Sequence, residues 1–241
     1  VLYDTFPPGP ARFQATESGP HVLFPVAVDG SGNKQDLALA PGSATLVPEP
    51  VIITDLKGED FDITYSVLEL GMSPNYWEYG VGRFTIRPII DPLMIGPGEV
   101  GYPPDANTTE IVGVQFGDDV RAYKIGDIRN REAVNDVVDG IPMALTYCPL
   151  CDAHGVYDRV LDGEVLTIAA SGWTWHQIFV LQDYETGSLW FPGLSYPGNP
   201  DFLLCIAGPH QGKKIFALPS HRTRWRPWHE VYPESLIMKT K

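Results

Sequence analysis

Breaks dominate this chain: 24 glycines and 23 prolines are spread through its 241 residues. Proline cannot donate to a helical ladder and glycine loses the most backbone freedom on ordering, so long helices have little room. Between the breaks stand short runs rich in Val, Ile, Phe and Tyr, which is strand composition. The expected fold is mainly β, a β-rich α+β class of short antiparallel strands and hairpins with one or two short helices. Strands are expected from His21 to Val28, Val51 to Thr54, Phe61 to Leu68, Glu110 to Phe116, Met143 to Tyr147, Gly155 to Val160, Glu164 to Ala169, Ile178 to Gln182 and Leu203 to Ile206. The two helix candidates run from Asp127 to Val138 and from Arg226 to Ser235, where apolar positions recur among polar ones. Residues 1–82 read as an N-terminal β-rich segment without a reactive cluster, and residues 83–241 as the domain that carries the chemistry.

Charge narrows the partners. Lys plus Arg is 17 against 30 for Asp plus Glu, and a net charge of -13 repels phosphate backbones and anionic lipid heads. No run approaches the roughly 20 apolar residues of a spanning helix. A Gly-rich phosphate loop, a nucleophile elbow, a kinase signature and an H-E-x-x-H pattern are all lacking. The expected partners exclude nucleic acid and membrane, leaving a metal ion and a protein partner of unspecified kind. The chain starts at Val1 rather than Met, which leaves room for a leader removed upstream and sets the expectation of a periplasmic or secreted protein.

Three cysteines are too few to staple a fold, so the question is what they do. Asp162-Gly163 is a strong two-residue reversal between apolar runs, and it places Leu161 opposite Glu164. Extended further, that register brings His154 near Ser171, and Pro149 to Cys151 near Thr174 to His176. Cys148, Cys151, His154 and His176 would then converge, two sulfurs and two imidazoles suited to copper, or alternatively zinc. Trp173 and Trp175 would shield the ion, Asp152 or Asp158 would orient an imidazole, and His221 stands in reserve.

Blander readings stand beside this one. Buried cysteine is an ordinary core residue, and Cys205, inside an apolar run, is read so. Arg222, Arg224, Trp225, Arg226 and Trp228 are read as Arg stacked on Trp in a folded C-terminus. Asn107-Thr108-Thr109 matches a glycosylation acceptor, and Glu132, Asp136 and Asp139 are read as a solvated face.

Several blocks, in order, resemble a family known as domain of unknown function 3179 over about residues 83–241. They are Gly117 to Tyr123, Glu132 to Asp136, Thr146-Tyr147-Cys148-Pro149-Leu150-Cys151, Tyr157 to Arg159, Ser171-Gly172, Asp183 and Glu185 to Trp190. The resemblance implies no established activity, though members of the family often look exported or membrane-anchored. This chain carries Arg131 where the family usually has His, and His154 and His176 where small residues and Asn are usual. Gaining two imidazoles beside two cysteines is what a metal site would require.

Three functions follow. The first is a metal-binding protein, possessing a Cys2His2-type site on the C-P-L-C turn. The second is thiol–disulfide redox chemistry in which Cys148 attacks and Cys151 resolves. The third is a non-catalytic β-rich binding module. Whether the protein is an enzyme is left open at this stage.

Overall fold

The computed structural model describes residues 50–192 and 201–239, together with four short strand segments nearer the start. Those segments pair as Leu2–Tyr3 with Phe13–Gln14 and Val26–Val28 with Lys34–Asp36, within a unit spanning Val1–Glu49. The expected strand at His21 falls largely outside the described residues. A second unit, Pro50–Lys241, holds everything that follows. Within it Ile53, Phe61 and Ile63 are buried in one apolar cluster with Trp173, Trp175 and Leu204.

The mainly β expectation holds in this unit, where three sheets are layered. The outer five-stranded sheet runs His221–Arg224, Glu110–Phe116, Asp119–Lys124, Leu236–Met238, Met94–Ile95. The central one has four strands, Ala153–Asp158, Ile141–Cys148, Ala133–Val138 and Ile89–Ile90. The third has six: Lys214–Phe216, Phe202–Ala207, Leu189–Pro192, Ile178–Asp183, Ile168–Trp175 and Trp77–Tyr79.

Strand alternation makes the central sheet two-sided. Met143, Leu145 and Tyr147 share a core with Val112, Val114 and Tyr123 of the five-stranded sheet. Their neighbours Ala144 and Cys148 share another with Phe179, Leu181 and Trp190 of the six-stranded sheet. Helix Trp225–Val231 caps the outer face of the five-stranded sheet through Trp225 and Trp228. Helix Thr64–Leu70 and the Ile52–Thr54/Asp60–Asp62 hairpin lie on the far face of the six-stranded sheet.

Two expected elements change. The apolar stretch starting at Phe61 divides into strand Asp60–Asp62 and helix Thr64–Leu70, ended by left-handed Gly71. The stretch expected as a helix from Asp127 is helical only over Ile125–Ile128 and then becomes the buried strand Ala133–Val138. Of the residues expected on a solvated face, Asp139 is exposed, Glu132 is half-buried and Asp136 is buried. The Asp136 carboxylate takes both of its oxygens to Arg121 at 2.9 Å and accepts from Tyr123 Oη at 2.6 Å. The fully buried Asn135 carboxamide imitates a strand neighbour: its Nδ2 donates to Ile168 O, and its Oδ1 accepts from Ile168 N, both at 2.8 Å. That side chain ties the central sheet to the six-stranded one.

Candidate functional site: the C-P-L-C turn and its cleft

The Asp162-Gly163 reversal forms as expected, pairing Leu161 with Glu164 and Val160 with Val165. The pairing does not continue to the cysteines. Beyond Arg159 and Leu166 the arms part: Ala153–Asp158 joins the central sheet against Ile141–Cys148, while Ile168–Trp175 pairs with Ile178–Asp183 in the six-stranded sheet. The layers still meet near the place the sequence indicated, because Cys148, Pro149 and Leu150 share a cleft with Gly172, Trp173 and Thr174.

Parity decides the histidines. Cys148 is paired with Ala153 and Tyr147 with His154, and directly opposed residues of an antiparallel pair share a face. His154 therefore lies on the Tyr147 face, away from the side on which Cys148 packs. Burial first, and then the Arg222 charge, hold its imidazole below the usual range. His176 sits with Gln177 in a reversal where both have positive φ, 51° and 64°. Its Nε2 lies 2.9 Å from Ser73 O, and its ring packs on Tyr76 with centroids 4.6 Å apart. Of the four expected ligands, the structure brings together the two sulfurs and not the imidazoles. Among the described residues no group of three or more His, Cys, Asp or Glu is placed to hold a metal ion.

What the structure builds is a sulfur site. Residues Pro149 to Asp152 connect two paired strands, with Asp152 left-handed at φ 55°. Tyr147 Oη donates to Asp152 Oδ1 at 2.8 Å, and Arg222 clamps both the Asp152 side chain, at 2.9 Å, and its carbonyl, at 2.8 Å. Arg222 thus braces the turn instead of stacking on tryptophan. Asp158 accepts from Val160 N at 2.9 Å. Cys205 is buried, as expected for a core thiol.

Within this turn the cysteines differ. Cys148 is buried and Cys151 exposed. The neighbouring Cys151 thiol first, and then the nearby backbone N–H groups of Cys151, Phe179 and Leu150, outweigh burial and hold the Cys148 thiol below the usual range. The Cys148 sulfur, joined by burial, pushes Cys151 up.

Cys148 forms part of the floor of a cleft of about 300 Å³. Its walls come from residues 78–81, residues 172–174, Ile86, Leu150 and Phe179. Gly172 has φ +81°, and its carbonyl accepts from Gly80 N at 3.2 Å and Val81 N at 3.1 Å; a Cβ there would meet Val81 Cγ2 at 2.5 Å. The close approach of the two wall segments thus requires glycine. Glu132 completes the lining in a left-handed conformation at φ 60°, fixed by Tyr147 N donating to its carbonyl at 2.9 Å. Burial, then the neighbouring Cys148 charge, push its carboxyl up to about 7. Sequence reasoning missed this residue, although it directly precedes the A-V-N-D block. A carboxylate beside a block of apolar residues was the only signal.

The Glu132 shift has a consequence for stability. Its folded pKa is raised, so the contribution is complete below the usual value of 4.5 and lost as pH rises through about 7. Discounted for partial exposure, the loss amounts to about 1–2 kcal/mol. Thermal unfolding should show the reduced protein losing roughly 2–6 °C between pH 5 and pH 8 relative to Glu132→Gln, which cannot titrate there. Parallel Tm profiles would disprove the raised carboxyl.

Fold and site define a layered β domain with a C-x-x-C hairpin turn on the floor of a cleft. The chain belongs to the family described as protein of unknown function (DUF3179), whose model matches residues 91–241. No curated protein and no solved structure matches the chain. No helix among the described residues is long and apolar enough to cross a membrane.

Proposed function

We propose that the protein is a thiol–disulfide redox protein, working as an oxidant of partner thiols through Cys148 and Cys151. The observation that carries this reading is two free cysteines on one hairpin turn, Cys148 buried and lining the cleft and Cys151 exposed, with neighbouring donors that hold the Cys148 thiol below the usual range. Donors that hold a thiolate stabilise the reduced pair over the disulfide, and a stabilised reduced form makes the disulfide oxidising.

Exposure makes Cys151, not Cys148, the sulfur that meets a large partner. In the oxidised pair the sulfur that a partner can reach is that of Cys151. A partner thiolate attacks it, a Cys151–partner disulfide forms, the Cys148–Cys151 bond breaks, and Cys148 leaves as the stabilised thiolate. A second partner thiolate then attacks the partner's own sulfur, releasing Cys151 as a thiolate that takes up a proton. Two partner thiols are oxidised to one disulfide and the cysteine pair is reduced. An extracytoplasmic setting, where disulfides persist, suits this chemistry.

Equilibration with thiol–disulfide buffers tests the reading. The pair should titrate as a two-electron couple more oxidising than about -200 mV, and alkylation of Cys148 should follow a pKa below about 8.5. Lack of a reversible couple would end the proposal. The copper or zinc reading retains only its sulfur half, two sulfurs of one turn, which suits a soft ion such as Cu(I). Metal analysis decides it: less than about a tenth of an equivalent, with none taken up on titration, removes it.

A further inference from the structure

The two sulfurs of the turn face different surroundings. Cys151 is exposed, whereas Cys148 is fully buried and lines the cleft. A reactant bound for the Cys148 sulfur has to come through that cleft. Its volume, about 300 Å³, is at the small end of ligand pockets. Tyr79, Val81, Ile86, Leu150, Trp173 and Phe179 give it apolar walls, and Leu150, 69% exposed, forms the rim. Its charged side chains are Glu78 and Glu132, and the lining contains no Lys, Arg or His. A Cys148 thiolate would add its negative charge to that of Glu78, and it favours the protonated form of the neighbouring Glu132.

We propose that this cleft is a second reaction site of the pair, where a small neutral or cationic disulfide enters to reoxidise it at Cys148. This rests on the redox reading above. The Cys148 thiolate attacks one sulfur of the entering disulfide, so that a Cys148–sulfur bond forms and the entering S–S bond breaks. The departing thiolate takes a proton from the Glu132 carboxylic acid. Cys151 then attacks the Cys148 sulfur, its proton passing to the Glu132 carboxylate, and the second small thiolate leaves, taking a proton from water. The pair is oxidised to its disulfide, and one small disulfide is reduced to two thiols. Large partners exchange at Cys151 outside, and small reactants at Cys148 inside, so the turn passes electrons from one side to the other. Anionic disulfides are turned away by the Glu78 carboxylate and the Cys148 thiolate.

The test uses the full chain bearing Cys151→Ala, in which the reaction stops at the Cys148 mixed disulfide. The probes are cystamine, bis-hydroxyethyl disulfide and dithiodipropionate, of similar size and differing charge. Each rate, followed by intact mass at low ionic strength, is divided by the rate of the same disulfide with mercaptoethanol. The expected order is cation, then neutral, then anion, spanning roughly tenfold. Glu78→Lys should compress the span about threefold, whereas Asp118→Lys, which changes the net charge equally away from the cleft, should leave it within about 1.5-fold. A flat series, equal effects of the two lysine variants, or a Cys148 inert to all three probes would overturn the proposal. The parent chain's redox titration separates the two failures: if the couple is present, only the cleft inference falls, and if it is absent, both fall.

Discussion

Replacing Cys148 by serine should abolish turnover of partner thiols, by on the order of a thousandfold or more, since no disulfide can form and a hydroxyl cannot take the place of a thiolate leaving group. The same variant should trap what it cannot turn over. Cys151 remains exposed, so exchange with a disulfide-bearing partner protein leaves a stable mixed disulfide at residue 151, visible by non-reducing electrophoresis and peptide mass mapping. Cys151→Ala should lose turnover equally but trap no large partner, because the remaining sulfur is buried. It should also shift alkylation of Cys148 to higher pH, since the leading cause of its lowered pKa is the Cys151 thiol. Trapping on Cys148 and not on Cys151 would show that the roles are the reverse of those proposed.

Asp136→Ala should be the most damaging substitution away from the cysteines. Arg121 donates to both oxygens of this carboxylate, and the ion pair is largely buried, with side-chain exposures of 16% and 6%. The fully buried Tyr123 hydroxyl also donates to it. Removing the carboxylate leaves an orphaned hydroxyl and a partly uncompensated guanidinium between the five-stranded and central sheets. The cost of breaking such a pair is about 3–5 kcal/mol, or on the order of 10 °C in Tm for a unit of this size. Arg121 also meets Asp119 at 2.6 Å, but Asp119, 23% exposed, keeps water as an alternative partner, so Asp119→Ala should cost only about 1 kcal/mol. Equal losses from the two substitutions would mean that burial does not set the energy of this cluster.

The sequence misplaced the metal ligands for one reason. From the Asp162-Gly163 reversal it extended a single ladder, but a reversal specifies only its nearest pairs. Each arm found a better neighbour: Ala153–Asp158 beside Ile141–Cys148, and Ile168–Trp175 beside Ile178–Asp183. The second of these hairpins turns at His176-Gln177, which carries none of the glycine or asparagine that normally announces such a reversal. Hence His176, taken for a ligand, turns out to hold a turn against the carbonyl of Ser73. Glu132 and Asp136 were misread on similar grounds, since carboxylates beside a helix-like pattern suggest a wet face until two covering sheets are in view.

The sequence by itself determined the β character, through its breaks and its short Val-, Ile- and Phe-rich runs, and it singled out the C-P-L-C turn. Both are local properties, legible within a few residues. Only the tertiary structure decided which sulfur is buried, which is exposed and what surrounds each. Cys148 packs in one cluster with Phe179, thirty-one residues away in a different sheet, and Glu132 reaches the same cleft from just before strand Ala133–Val138. A thiol's reactivity depends on the donors and charges packed around it, and packing between layers brings together residues whose separation along the chain gives no sign that they meet.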